Sequence, residues 1–113
     1  CVMMIIYNVT THVEVSIENE WIKYMREKHI PLMMSTGKFR EATFTRINPS
    51  ESTEQGVSFS VQYLCPNKAT LESYLADDAE RIERELRQQF GSNALEFTTE
   101  LELIGRAQLN LNS

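Results

Sequence analysis

The sequence predicts an α+β fold in which strands and helices follow in the order β-α-β-β-α-β. Three observations favour it: four segments in which apolar and polar residues alternate, two segments with apolar residues at helical spacing, and turn-forming residues between them. The chain has 113 residues, of which 42% are hydrophobic. That length and composition are typical of one domain that buries its own core.

The first strand and helix are predicted in the first third of the chain. Apolar and polar residues alternate over 5–13, which is typical of a strand with one buried face. A helix should follow with Ser16 as its N-cap, weaken before Pro31 and end by Gly37. The residues expected on its buried side are Ile17, Trp21, Ile22, Met25 and His29.

Two further strands and the second helix follow. We expect strands over 39–47 and 57–64, joined as a hairpin by the polar, turn-rich stretch 48–56. The second helix should begin after Asn67 and end at Gly91, which suits the residue that follows a helix. The apolar stripe of this helix is predicted to consist of Leu71, Leu75, Ile82, Leu86 and Phe90.

A last strand over 95–103 completes a four-stranded antiparallel sheet with both helices on one face, the ferredoxin-like arrangement. Residues 1–103 are predicted to form the single domain and 104–113 a C-terminal tail. The sheet face expected under the helices carries Tyr7, Val9, Val57, Phe59, Val61, Phe97 and Leu101. The opposite face is expected to carry Asn8, Thr10, His12, Ser58, Ser60, Gln62, Glu96, Thr98 and Glu100. This second face either meets water or is enclosed when two chains stack sheet on sheet.

Charge and composition exclude several classes of partner. Eleven basic against sixteen acidic residues give a net charge of −5, which argues against binding a phosphate backbone. The polar sheet face also lacks the aromatic and basic residues of an RNA-binding sheet, and no apolar run is long enough to span a bilayer. Cys1 and Cys65 form neither a disulfide framework nor a metal pattern, so we expect a reduced, cytoplasmic protein without a metal or cofactor. Whether Cys1-Val2 belongs to the native chain stays open.

The run from Glu20 to Pro31 is the most distinctive part of the sequence. It contains Trp21 and His29-Ile30-Pro31, and Thr36-Gly37-Lys38-Phe39 follows it. These residues resemble the first helix and second strand of dimeric α/β-barrel proteins, such as EthD-like proteins and relatives of the antibiotic-biosynthesis monooxygenases. With Met-Ile-Ile-Tyr-Asn-Val-Thr at the start and Val-Gln-Tyr in the third strand, residues 4–103 look still more like a bacterial family of domains of unknown function. The resemblance implies a homodimer whose two sheets face each other and form a barrel.

His29 is the candidate catalytic residue, because an imidazole that titrates near pH 6.5 can both accept and donate a proton. Lys28 and Thr36 depart from the acid and the proline common in the wider superfamily, so the resemblance assigns His29 no inherited role. Alternatively, His29 caps the helix end and the neighbouring aromatic residues belong to the core. The side chains expected to line a ligand pocket are Trp21, Tyr24, Tyr63, Asn8, Thr10 and Gln62.

Three functions are compatible with the sequence, which leaves open whether the chain is an enzyme. The first is a small homodimer that acts as a non-enzymatic binding or accessory module with a small-molecule ligand. The second is a cofactor-free monooxygenase or isomerase for a small aromatic or polyketide-like substrate, which needs only a base and a shaped pocket. The third is an interaction partner that uses a sheet edge or the tail over 105–113.

Overall fold

Four strands form one antiparallel sheet in the part of the chain that the structure describes. The structure is a computed structural model, and it describes residues 3–48 and 56–109. The strands are β1 (Ile5–Glu14), β2 (Glu41–Ile47), β3 (Gly56–Cys65) and β4 (Ala94–Glu102). The sheet has the order β2-β3-β1-β4, so β1 and β3 are central and β2 and β4 are its edges. The sheet and the helices on one of its faces confirm the predicted ferredoxin-like α+β fold.

The first helical region differs at its start from the prediction. A 3-10 turn (Val15–Ile17) leads into α1 (Glu18–Tyr24), and no side chain caps either segment. The N-cap role predicted for Ser16 is therefore wrong, because Ser16 already lies inside the 3-10 turn. A π-helical turn (Met25–His29) and α2 (Ile30–Ser35) continue the helix.

Pro31 does not end this helix, although a proline lacks the N–H that an α-helix needs. The π-helical turn comes directly before α2, and its wider hydrogen-bond spacing accommodates the missing donor. The predicted weakening before Pro31 thus takes the form of a change in helix type. The chain leaves the helix at Gly37, whose φ of 75° suits glycine and confirms the predicted end.

The second helical region consists of α3 (Lys68–Asp77) and α4 (Ala79–Phe90). As predicted, Asn67 caps its start, since its side-chain oxygen accepts a hydrogen bond from the Thr70 N–H at 2.8 Å. Gly91, with a φ of 58°, confirms the predicted end. Within the described part of the chain, no helix is long and apolar enough to cross a membrane.

The prediction that Leu75 belongs to the apolar stripe of the second helix is wrong. The Leu75 side chain is 39% exposed, and Tyr74 is buried in its place. The helix breaks at Asp78, so the apolar spacing of α4 does not continue backwards into α3. The other four predicted stripe residues are buried, namely Leu71, Ile82, Leu86 and Phe90.

The main difference from the predicted sheet is the face on which the apolar side chains of β4 lie. The register of β4 pairs Thr10 with Phe97 and Ile6 with Leu101, which places both apolar side chains on the face away from the helices. An alternating pattern shows which residues share a face but not which face is buried, and a shift of one residue exchanges the two. The side chains that lie instead on the helix side of this edge strand are Glu96, Thr98 and Glu100, all of them exposed.

Candidate functional site

One sheet face has no helix against it, and we call it the open face. Its centre is polar, and its margin at β4 is apolar. The residues that strand pairing places on it include Ile6, Asn8, Thr10, His12, Glu41, Thr43, Thr45, Ile47, Ser58, Ser60, Gln62, Leu64, Leu95, Phe97, Thr99 and Leu101.

Several polar side chains at the centre of the open face hydrogen-bond to one another. The Ser60 hydroxyl donates to Asn8 Oδ1 at 2.6 Å, and Asn8 Nδ2 donates to Thr10 Oγ1 at 3.1 Å. His12 Nδ1 lies 3.2 Å from Ser58 Oγ. The structure therefore brings together Asn8 and Thr10 of the predicted pocket, and Gln62 lies opposite Asn8 in the register. Polar groups paired in this way can be buried at low cost.

The apolar margin of the open face lies along β4. The side chains of Leu95 and Phe97 are 62% and 63% exposed, and Leu101 is half-buried beside them. Large exposed apolar side chains that cluster on one surface mark an interaction site more often than singly scattered ones do. This margin was not predicted, because Phe97 and Leu101 were expected on the sheet face under the helices.

The three aromatic residues of the predicted pocket lie in different ring clusters. Trp21 is fully buried, Tyr24 is half-buried, and Tyr63 is almost fully buried. Within residues 3–48 and 56–109, no ring contact joins any two of them. Their ring partners are Phe44 and Phe59 for Trp21, Phe90 for Tyr24, and Tyr7 and Phe39 for Tyr63.

His29 is buried away from both surfaces. It is 7% exposed, and its imidazole has no hydrogen-bond or ion-pair partner among the described side chains. Burial lowers its pKa from 6.5 to about 4, since the charged imidazolium loses its hydration. The capping role considered above is wrong, because α2 continues to Ser35 beyond this position. At neutral pH, His29 is therefore an uncharged residue of the helix–sheet interface.

We expect the folded state to lose stability through His29 as the pH falls from 6.5 to 4. In that range the unfolded chain protonates this histidine while the folded chain does not, so acid favours unfolding. The loss should reach about 3 kcal/mol near pH 4. Urea titrations at several pH values measure the free energy of unfolding of the wild type and of His29→Gln. The difference between the two proteins should change steadily as the pH falls. His12→Gln, at an exposed histidine of β1, is the matched control. If the free energy of unfolding depends on pH in the same way for the wild type and for His29→Gln, the prediction is contradicted.

A cleft lies between the first helical region and the edge strand β2. Its volume is about 460 Å³. Ile22, Arg26 and Ile30 recur in the sequence at a spacing of four, and alternate residues of β2 share one face, but neither pattern indicates that the two segments meet. The lining residues are Ile22, Arg26, Ile30, Ala42, Phe44, Thr45, Arg46 and Phe59.

These observations define a ferredoxin-like α+β domain with one uncovered sheet face and a cleft along one edge. Among the described residues, no group of three His, Cys, Asp or Glu side chains is placed to hold a metal ion. The chain belongs to the DUF4286 family, a domain of unknown function whose family model matches residues 4–104. No curated protein matches the sequence.

Solved structures of other proteins share the fold. A dimeric ferredoxin-like protein from an uncultured marine organism superposes with a TM-score of 0.73 at 10% identity, over 93% of this chain and 99% of that one. An EthD family protein from Bacillus halodurans superposes with a TM-score of 0.64 at 12% identity, over 84% of this chain and 96% of that one. A candidate antibiotic biosynthesis monooxygenase from Bacillus cereus superposes with a TM-score of 0.64 at 8% identity, over 95% of this chain and 99% of that one. At such low identities these likenesses show the fold alone.

Proposed function

We propose that this chain is a homodimeric, non-enzymatic binding or accessory module of the cytoplasm. Its two protomers pair through their open faces and form a dimeric α/β barrel. The observation that carries the proposal is the exposure of Leu95 and Phe97 beside a polar centre in which Asn8, Thr10 and Ser60 already hydrogen-bond to one another. A solved protein with the same fold is itself described as dimeric, which supports this arrangement.

Burial of Leu95 and Phe97 would supply part of the free energy of a reversible dimer. Fully burying a leucine or phenylalanine side chain contributes about 1.5–3 kcal/mol, and roughly two thirds of each side chain is still exposed. Four such side chains in a dimer therefore contribute about 4–8 kcal/mol. Association itself costs about 4–15 kcal/mol in lost translational and rotational freedom. The remaining contacts of the open face must supply the surplus.

The tail is proposed to lie outside the domain of residues 1–103 while it remains tied to the end of the sheet. The Leu103 N–H donates to the Met4 carbonyl at 3.0 Å, and Arg106 forms an ion pair with Glu41 at 3.2 Å. Glu41 belongs to β2, at the opposite edge of the sheet from β4. The chain after β4 thus crosses the end of the sheet, where it flanks the proposed dimer interface.

The burial of His29 favours this module over the cofactor-free monooxygenase or isomerase. A general base must come within hydrogen-bond reach of the proton that it removes. His29 does not line the cleft beside β2, and it is not on the open face. A pKa of about 4 also makes it a weak base.

Sedimentation and light scattering of the full chain test the dimer directly. We expect a mass near twice the 13.1 kDa of one protomer at high micromolar concentration, with dissociation on dilution. A mass of one protomer across the whole micromolar range would overturn the proposal.

A further inference from the structure

We propose that the cleft along β2 binds a small monocarboxylate with an apolar body. This inference gives a ligand class to the proposed binding role and rests on it, but it does not depend on the dimer. The cleft lies mainly on the helix side of the sheet at its β2 edge, whereas the proposed dimer interface is the open face, and Thr45 is the lining residue that the two share.

The volume and lining of the cleft suit a molecule with an apolar body. About 460 Å³ falls within the range of small-molecule sites, which is roughly 300–1,000 Å³. Ile22 and Ile30 contribute to the lining from the helical side, and Ala42 and Phe44 contribute from β2. Phe59, which is buried, also reaches the cleft. Five of the eight lining residues are therefore apolar.

The charged residues of the cleft are both arginines. Arg46 is already neutralised, because its Nη2 lies 2.9 Å from Glu18 Oε2 and its guanidinium sits 5.4 Å above the centre of the Phe59 ring. Arg26 has no hydrogen-bond or ion-pair partner among the described residues, although its guanidinium carries five donors. The cleft thus combines an apolar wall with one uncompensated positive charge.

One spare guanidinium matches a ligand with one negative charge. A carboxylate meets this need, because it accepts two parallel hydrogen bonds from an arginine. A phosphate monoester carries between one and two negative charges at neutral pH and would leave part of that charge without a partner.

Decanoate is a suitable probe, with 1-decanol as its uncharged counterpart. The chain has one tryptophan, Trp21, and its ring packs against Phe44 and Phe59, two residues that line the cleft. We therefore expect decanoate, below its micellar concentration, to change the tryptophan emission of the full-length protein. Calorimetry under the same conditions gives the dissociation constant. The absence of decanoate binding would overturn the proposal.

The Arg26→Gln variant separates this cleft from other apolar surfaces. We expect it to weaken decanoate binding about tenfold and to leave decanol binding unchanged, since it replaces the charged, bidentate guanidinium by a neutral amide. Arg84→Gln, at an exposed arginine of α4, is the control and should bind as the wild type does. Equal losses in the two variants, or a loss caused instead by Phe97→Lys, would overturn the assignment to the cleft.

Failure of this inference and failure of the dimer give different results. A monomeric protein that binds decanoate through Arg26 would keep the cleft and overturn the dimer. A dimeric protein without decanoate binding would do the reverse.

Discussion

Replacing Leu95 and Phe97 together by lysine is expected to convert the dimer into a monomer that remains folded. Both side chains are about two-thirds exposed on the open face, so the protomer alone already tolerates contact with water at these positions. In the dimer the same lysines would place four positive charges within one buried interface. Apolar side chains on which an interface depends cost 2 kcal/mol or more each when they are lost, so we expect dissociation to rise at least about a hundredfold.

The matched control is Leu75→Lys, which makes the same substitution at an exposed leucine of α3 on the other side of the molecule. Sedimentation velocity at several concentrations measures the dissociation constants, and far-UV circular dichroism checks that each variant is folded. Equal association of the double variant and the wild type would place the dimer interface elsewhere. Equal weakening by Leu75→Lys would mean that added charge, and not the open face, controls association.

Trp21→Ala is expected to cost about 3–5 kcal/mol of unfolding free energy, because it leaves a large cavity in the core. Trp21 is fully buried, and its ring centre lies 4.8 Å from that of Phe59 and 5.7 Å from that of Phe44. Against a total stability of about 5–15 kcal/mol, this loss unfolds a substantial fraction of the protein. Urea unfolding followed by far-UV circular dichroism, at one protein concentration, measures it.

Trp21→Phe is the informative companion variant. The Trp21 Nε1–H is buried, and no described group accepts a hydrogen bond from it, which costs about 1–3 kcal/mol in the folded state. Phenylalanine removes this donor and keeps an aromatic ring against Phe44 and Phe59. We therefore expect a much smaller loss than for alanine. A loss as large as that of Trp21→Ala would show that volume, and not the unpaired N–H, controls stability at this site.

The features that were predictable from the sequence depend on local interactions. Alternation in β1 and β3 identifies the residues that face the helices, since both strands lie in the middle of the sheet. Asn67 and Gly91 mark the ends of a helical region because capping and a positive φ depend on a few neighbouring residues. The same local character explains why Trp21 and His29 were correctly placed on the buried side of their helix.

The features that were not predictable depend on how elements meet. β4 alternates as regularly as β1, but its pairing register, and not its pattern, decides that Phe97 faces away from the helices. The break at Asp78 likewise changes which side of α3 is buried. The cleft exists because side chains from a helix and from β2, separated in the chain, line one space. No single segment carries a signal for such a site.

The π-helical turn has a consequence for how the helix winds around its axis. Trp21, Met25, His29 and Met33 are all buried, at a constant spacing of four residues. In a regular α-helix of 3.6 residues per turn, each step of four advances the side chain by about 40° beyond a full turn. Three such steps would carry Met33 about 120° around the helix, away from the sheet. The wider turn at Met25–His29 unwinds the helix and cancels part of this drift. A long run of apolar residues at intervals of four, with a proline near its end, is thus a sequence signature of local underwinding.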